Sequence, residues 1–373
     1  MSASTHAIEA DSALRLESEN SNPSTCDTRP KTAILLERGG IGDLVLHIPY
    51  FRAAAAHSCG EKITIIARPT TFAKDLISHE PWVDEIIYHD LRRRKFDGGK
   101  ARHASFAGTW RIARELCARR LDRIMLFTNR SKCGLLAWLA RIPRRAGFGF
   151  SFRPNRINRI FLNEGPYIKP HDKPTSPAYW DATNFAIAHG LCAAPIVPRV
   201  TMPAEQIQKM HVRLATLPRP FCALTIGAGT PDKQWGASNY AALAGRLIAH
   251  GNGVLLIGGP AETPMARAIE NAIPPAQRTS IASLTQGTVL ETASALSLAS
   301  LCIGNDTGGT LLAAACNCPA YIVLGPRQIL DHDPGLRLVT APRLDSITAA
   351  RVFALVVHEL GNEPTPKNSK GGN

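Results

Sequence analysis

Beyond residue 30 the chain alternates short, mainly apolar runs with longer stretches whose apolar residues recur every three or four positions. TAILLE (32–37), KITIIA (62–67), EIIY (85–88) and RIMLF (123–127) have the length and branched composition of strands buried on both faces. Amphipathic helices are predicted over about residues 43–56 and 133–141. From residue 143 to about 220 the rhythm breaks into a stretch rich in Pro, Arg and Asn, with helices predicted only at 178–189 and 204–217. Alternation then resumes. CALTIG (222–227), GVLLIGG (253–259), LCIG (301–304) and AYIVLG (320–325) read as strands, and 237–250, 264–272, 307–316 and 346–360 as helices. Strands and helices alternating in this way predict an α/β protein of two Rossmann-like, doubly wound parallel-sheet domains facing an interdomain cleft. The expected division is a disordered tail over 1–30, a first domain over 31–200 and a second over 201–345. A C-terminal helix over 346–361 and a second disordered tail over 362–373 complete it.

Composition adds bounds. A chain of 373 residues, 45 % of them hydrophobic, suffices for two packed domains. No apolar run reaches the length of a bilayer span, and the N-terminus lacks a basic-then-apolar leader pattern, so a cytoplasmic protein is expected. The nine cysteines form no Cys-x-x-Cys pair, and Cys316 and Cys318 have no further ligand at zinc-site spacing. Charge is informative through its position. The net charge is +13, yet residues 92–159 alone hold 19 Lys and Arg against Asp97, Glu115 and Asp122. Such a block is either a solvated surface or the contact for a phosphate- or carboxylate-bearing partner, among them nucleic acid, an anionic membrane or an acidic glycolipid. Few aromatics interleave with its basic residues, which argues against stacked nucleic-acid bases.

Four turns carry candidate chemistry. RGGIGD (38–43) follows the first strand; its glycines permit a sharp turn, but the spacing is not that of a dinucleotide loop. Asp43 there is either a helix-start acid or a general base at the cleft mouth. TIGAGTPDKQW (225–235) offers Thr230 and Lys233 to a diphosphate, or a solvated lysine on a surface turn. GNDTGG (304–309) opens a helix of small residues whose free backbone N–H groups suit an anion. GGPAE (258–262) places Glu262 where an acid binds ribose hydroxyls or complements a helix dipole.

Taken in order, ILLERGGIGDLVLHIPYFRA, WVDEIIYHD, Lys233-x-Trp235, GGPAE and GNDTG resemble the heptosyltransferases of glycosyltransferase family 9, over about residues 31–360. The resemblance implies a GT-B fold and a metal-independent, cofactor-free transferase moving heptose from ADP-heptose onto the lipopolysaccharide inner core. It implies that Asp43 is the catalytic base and that Lys233 neutralises the leaving diphosphate. Glu262 holds the donor ribose, and Thr230, Asp306, Thr307, Gly308 and Gly309 contact the donor. Arg38, Gly40 and Gly42 lie on the acceptor side. The family pattern D-T-G-x-x-H ends here in Leu311, and that histidine contacts the donor's phosphates or sugar. The alternatives are therefore a member using another nucleotide sugar or acceptor, as in O-antigen, capsule or protein glycosylation, or a non-catalytic relative. Proton transfer to Asp43 and departure of the diphosphate from the opposite face predict inversion. The basic block matches an anionic glycolipid acceptor and the face of an anionic inner membrane. Asp331 and Asp333 have the spacing of a metal-binding pair but are expected to lie beyond the last strand of the sheet.

Overall fold

The computed structural model describes residues 27–90, 101–128, 130–149, 160–168, 175–326 and 329–360. The expected tails, as far as residue 26 and from 362, lie outside them, as do residue 361 and parts of the basic block (92–100, 129 and 150–159). Residues 27–30, read from sequence as tail, instead engage the first lobe: Asp27 accepts from the Gly60 N–H at 2.6 Å, and Arg29 donates to the Ala56 carbonyl at 2.9 Å.

The first lobe runs β1 (Thr32–Leu36), α1 (Ile41–Ala56), β2 (Ile63–Ala67), α2 (Ala73–Ile77), β3 (Val83–Tyr88), α3 (Phe106–Ala118), β4 (Arg123–Leu126), α4 (Ser131–Leu139) and β5 (Arg144–Gly147). Its five strands are parallel in the order β3-β2-β1-β4-β5, with Thr32 level with Ile63 on one side and Arg123 on the other. Between the sheets come α5 (Pro177–Ala188) and α6 (Ala204–Arg213). The second lobe runs β6 (Phe221–Thr225), α7 (Ala237–Ala249), β7 (Gly253–Ile257), α8 (Thr263–Ala272), β8 (Ile281–Leu284), α9 (Val289–Ser297), β9 (Leu301–Asn305), α10 (Gly308–Ala315), β10 (Ala320–Leu324), β11 (Leu336–Thr340) and α11 (Ala349–Leu360). Its strands are ordered β11-β10-β9-β6-β7-β8, again parallel. In both sheets the winding direction reverses beside the first strand, between β1 and β4 and between β6 and β9. The crevice outside the carboxyl ends of such strands is where doubly wound sheets bind ligands.

The apolar positions sort into three clusters. Ile112, Ala113 and Leu116 of α3, with Cys133, Leu136 and Ala137 of α4, cover one face of the first sheet. The outer face of the second sheet carries α7, α8 and α11. The third cluster is continuous between the lobes, passing from Ile34 and Ile65 through Leu44 and Ile48 of α1, Phe185 of α5 and Leu312 of α10 to Ala223 and Leu255. Burial of this kind favours the assembled pair by roughly 25 cal/mol per Å² of apolar surface removed from water.

One expectation fails here. Asp331 and Asp333 are not beyond the last strand, since β11 follows them. Asp331 accepts from Thr175 Oγ1 at 2.7 Å and Trp180 Nε1 at 3.1 Å, and Asp333 meets Arg199 Nη1 at 2.6 Å. They fasten the β10–β11 loop to α5 and the segment after it. The expectation failed because β11, LRLVT, lies along a sheet edge with Arg337 and Thr340 exposed and so lacks the unbroken apolar run of an inner strand.

Candidate active site

All the singled-out turns leave the carboxyl ends of strands, so the fold gathers them at one crevice. The glycine turn after β1 leads into α1, whose N-cap is Gly40, with Asp43 as the third helical residue. The Asp43 carboxylate accepts from the backbone N–H groups of Gly40 and Gly39. The helix-start reading of this acid is therefore correct as geometry, in the manner of an acid reaching back over its own N-cap. Position adds more. Burial raises the Asp43 pKa above its ordinary 3.8, overcoming the opposing pull of Arg38, of the two N–H bonds and of Lys233 from the other lobe. A carboxylate so shifted is a stronger base than one in water. Behind it, His47 Nδ1 lies 2.6 Å from the Asp43 carbonyl, and burial holds the imidazole neutral with a pKa of about 3.

Across the cleft, Thr307 is the N-cap of α10, and its side chain makes no capping bond to that helix. The first turns of α1 and α10 touch. A β-carbon on Gly308 would stand 2.7 Å from the Gly42 nitrogen, and one on Gly42 would stand 3.2 Å from the Gly308 α-carbon. Only glycine permits this approach, which brings the start of a second-lobe helix against the turn that carries Asp43. Gly309 sits over Thr225, whose hydroxyl meets that of Thr310 at 2.8 Å; Thr310 in turn donates to the Asn305 carbonyl at 2.7 Å. The end of β9 is thereby fixed beneath the helix start.

Lys233 ends the short helical turn that begins after Thr230. Its ammonium donates to Asp306 Oδ2 at 2.6 Å and to the Asp306 carbonyl at 3.2 Å. The structure thus joins two residues that the sequence reading assigned separately, the lysine to phosphate and the aspartate to the donor turn. Glu262 packs over Gly227 and Gly258, and its Oε2 accepts from the Gly259 N–H at 2.8 Å. Thr230 is exposed at the entrance. At the first lobe's glycine turn, Arg38 pairs with Asp181 of α5 at 3.1 Å, and Arg68 lies over Gly39, where a β-carbon would come within 2.7 Å of its Nη1.

Sequence reasoning assigned no role to Asn305. Fully buried, it donates to the Gly227 carbonyl at 2.9 Å and accepts from the Trp235 N–H at 3.1 Å, tying the loop that bears Lys233 to the end of β9. Its signal was present in the GNDTG block. Trp235, beside the lysine, anchors the same loop by donating from Nε1 to the Ile347 carbonyl at 2.6 Å. Among the described residues no three His, Cys, Asp or Glu side chains cluster as a metal site.

Two Rossmann-like lobes facing one crevice, each with a glycine turn opening a helix toward it, are the GT-B architecture of glycosyltransferases. Residues 109–331 match the sequence profile of glycosyltransferase family 9 (heptosyltransferase), and the chain belongs to that family. It is 26 % identical over 290 residues to lipopolysaccharide heptosyltransferase 2 of Salmonella typhimurium and, to the same extent, of Escherichia coli. Each alignment covers 77 % of this chain and 80 % of the relative. Among solved structures, E. coli ADP-heptose lipopolysaccharide heptosyltransferase II superposes with a TM-score of 0.71 at 20 % identity, over 88 % of this chain and 98 % of that one. A family 9 glycosyltransferase from Veillonella parvula gives 0.72 at 18 % identity, over 89 % and 97 %. An E. coli heptosyltransferase solved with ADP gives 0.67 at 19 % identity, over 88 % and 99 %. The protein is a glycosyltransferase, as the resemblance implied.

Proposed function

We propose that this glycosyltransferase moves heptose from ADP-heptose to the inner core of lipopolysaccharide with inversion, Asp43 acting as general base. The observation that carries the reading is the backbone contact of Gly42 with Gly308. It sets a partly buried carboxylate of raised pKa against the open start of a helix suited to phosphate. In this reading Glu262 holds the ribose, with Thr230, Asp306, Thr307, Gly308 and Gly309 along the nucleotide. Lys233 turns from Asp306 toward the diphosphate as its charge grows, which is where a preorganised cation contributes most. Arg38, Gly40 and Gly42 border the acceptor hydroxyl, whose proton passes to Asp43 as the anomeric carbon is attacked. The acceptor is an anionic glycolipid, reached from the cytoplasmic face of the membrane that holds it; no metal or organic cofactor takes part.

Leu311 favours a second reading within the same family. Its δ-methyl group would meet a β-carbon on Gly42 at 3.0 Å, so an apolar side chain fills the seam where the family pattern has histidine, and a donor other than ADP-heptose is the alternative. One assay addresses both. Purified protein and the Asp43→Asn variant are given ADP-heptose or other nucleotide sugars with an inner-core acceptor, and donor binding is measured alongside. The expected result is transfer from ADP-heptose, slowed at least about a hundredfold in the variant with donor affinity retained. Transfer from another sugar alone selects the second reading, and an undiminished rate in the variant removes Asp43 from the chemistry.

A further inference from the structure

The cleft accounts for the inner faces of both lobes and leaves the outside of α3 unexplained. Its buried side, Gly108, Thr109, Ile112, Ala113 and Leu116, seats it on the first sheet. The opposite side carries Phe106, 75 % exposed, and Trp110, 47 % exposed, one turn apart, with Arg111 and Arg114 exposed beside them. At 3.6 residues per turn these four project from one continuous strip. Neither arginine has an ion pair among the described residues, although Arg119, on the same helix, is held by Glu85 at 2.6 Å. On the neighbouring α4, Trp138 is also half exposed. Glu115 borders the same patch but is engaged by Arg119 at 3.2 Å, so large aromatics stand in water beside two arginines that make no ion pair among the described residues, an unusual surface for a protein with a well-filled core.

The strip starts at the cleft rim. The segment before α3 is tied to the end of β3: the His103 N–H donates to the Asp90 carbonyl at 2.9 Å, and the Asp90 N–H donates to His103 Nδ1 at 3.0 Å. Lys132, at the start of α4, donates to the Ala104 carbonyl at 2.9 Å. Phe106 follows two residues later, so the aromatic end of the strip borders the carboxyl edge of the acceptor-side sheet.

From this we infer that the outer strip of α3 is a docking surface for an anionic phospholipid bilayer, Phe106 and Trp110 entering the interface while Arg111 and Arg114 engage headgroup phosphates. The chemistry matches on both counts. Aromatic rings settle at the boundary between acyl chains and headgroups, and each arginine near an anionic leaflet is worth about fivefold in binding. The geometry would present the cleft rim to the membrane plane. The inference stands on surface chemistry alone and does not depend on which sugar is transferred.

Vesicle flotation of the full chain tests it, with no catalytic step involved. The protein should float with mixed phosphatidylethanolamine and phosphatidylglycerol vesicles, release as salt rises, and stay behind with phosphatidylcholine. The Phe106→Ser/Trp110→Ser and Arg111→Glu/Arg114→Glu pairs should each lower the partition coefficient at least about twentyfold, with melting temperatures kept. Val212→Ser, which removes an equally exposed apolar residue (65 %) on α6, should float like the native chain. Because the two pairs alter different chemistry, unfolding of one leaves the other to decide. Absence of flotation at low salt, or unchanged flotation of both pairs, would overturn the inference. So would a native protein that ignores vesicles while single-stranded RNA binds to the strip.

Discussion

Asp43 shows how one residue serves two ends. Its carboxylate organises the first turn of α1, yet burial makes the charged form unfavourable, and those demands separate with pH. Because the folded-state pKa is raised, the stability that protonated Asp43 contributes is complete below 3.8 and is lost as pH climbs through the shifted value. Asp43→Asn should therefore melt above the native protein at neutral pH and match it more closely near pH 4; thermal scans across that range check the sign. In the native enzyme the rate should fall on the acid side through an ionisation above the ordinary aspartate range. Leu311 makes an opposite wager. If the donor is ADP-heptose, Leu311→His should tighten donor binding roughly tenfold through a bond to phosphate. If the site has been shaped for a less polar donor, the same change should weaken it by stranding a polar group in the seam. Calorimetry with several nucleotide sugars separates these outcomes. The acids and the lysine could be picked out from sequence because each follows a strand end. The pairing of Lys233 with Asp306 could not, since it joins residues on separate loops that only the sheet order brings together.

At the scale of elements, apolar runs located the inner strands and one edge, β3, and missed the other edges. β5 is RRAG and β8 is IASL, both four residues long and at sheet margins, where one flank meets solvent and unbroken hydrophobicity is not required. α3 was hidden by its arginines, although Ile112, Ala113 and Leu116 keep helical spacing. α9 carried a readable sign: Thr288 and Glu291 form a reciprocal capping box, and the Asp75 carboxylate of α2 accepts from the Val289 N–H at 2.6 Å. The meeting of α1 with α10 had no sign in either segment, because it depends on the absence of side chains at Gly42 and Gly308. Gly308→Ala should test that contact. Its methyl group must displace the Gly42 backbone, an overpacking cost of about 1–3 kcal/mol. Because α1 carries Asp43, turnover should fall by more than donor affinity does. Steady-state kinetics beside donor titration would show it, and equal losses in both would place the damage in α10 alone.

For the molecule as a whole, the lobes behave as one body. The cluster from Ile34 to Leu255 is shared, and a polar latch reinforces it: Arg199 with Asp333, Ser176 with His332 at 2.9 Å, and Thr175 and Trp180 with Asp331. Arg199→Met would leave the Asp333 carboxylate buried without its cation, at a cost of about 3 kcal/mol. A single, lower melting transition is expected in calorimetry, whereas two separate transitions would mean that the lobes unfold independently. The sequence announced two lobes through its repeated strand–turn–helix order. It did not announce their common core, because residues packing within a lobe and between lobes are alike in composition. The glycine-to-glycine contact also has a mechanical consequence. A seam in which two backbones touch holds no side chain that could yield between them, so the separation of the turn bearing Asp43 from the start of α10 is set by main-chain atoms alone. With the lobes also joined through a common core, that spacing is built into the folded chain before any ligand arrives, and whatever enters the crevice must match it.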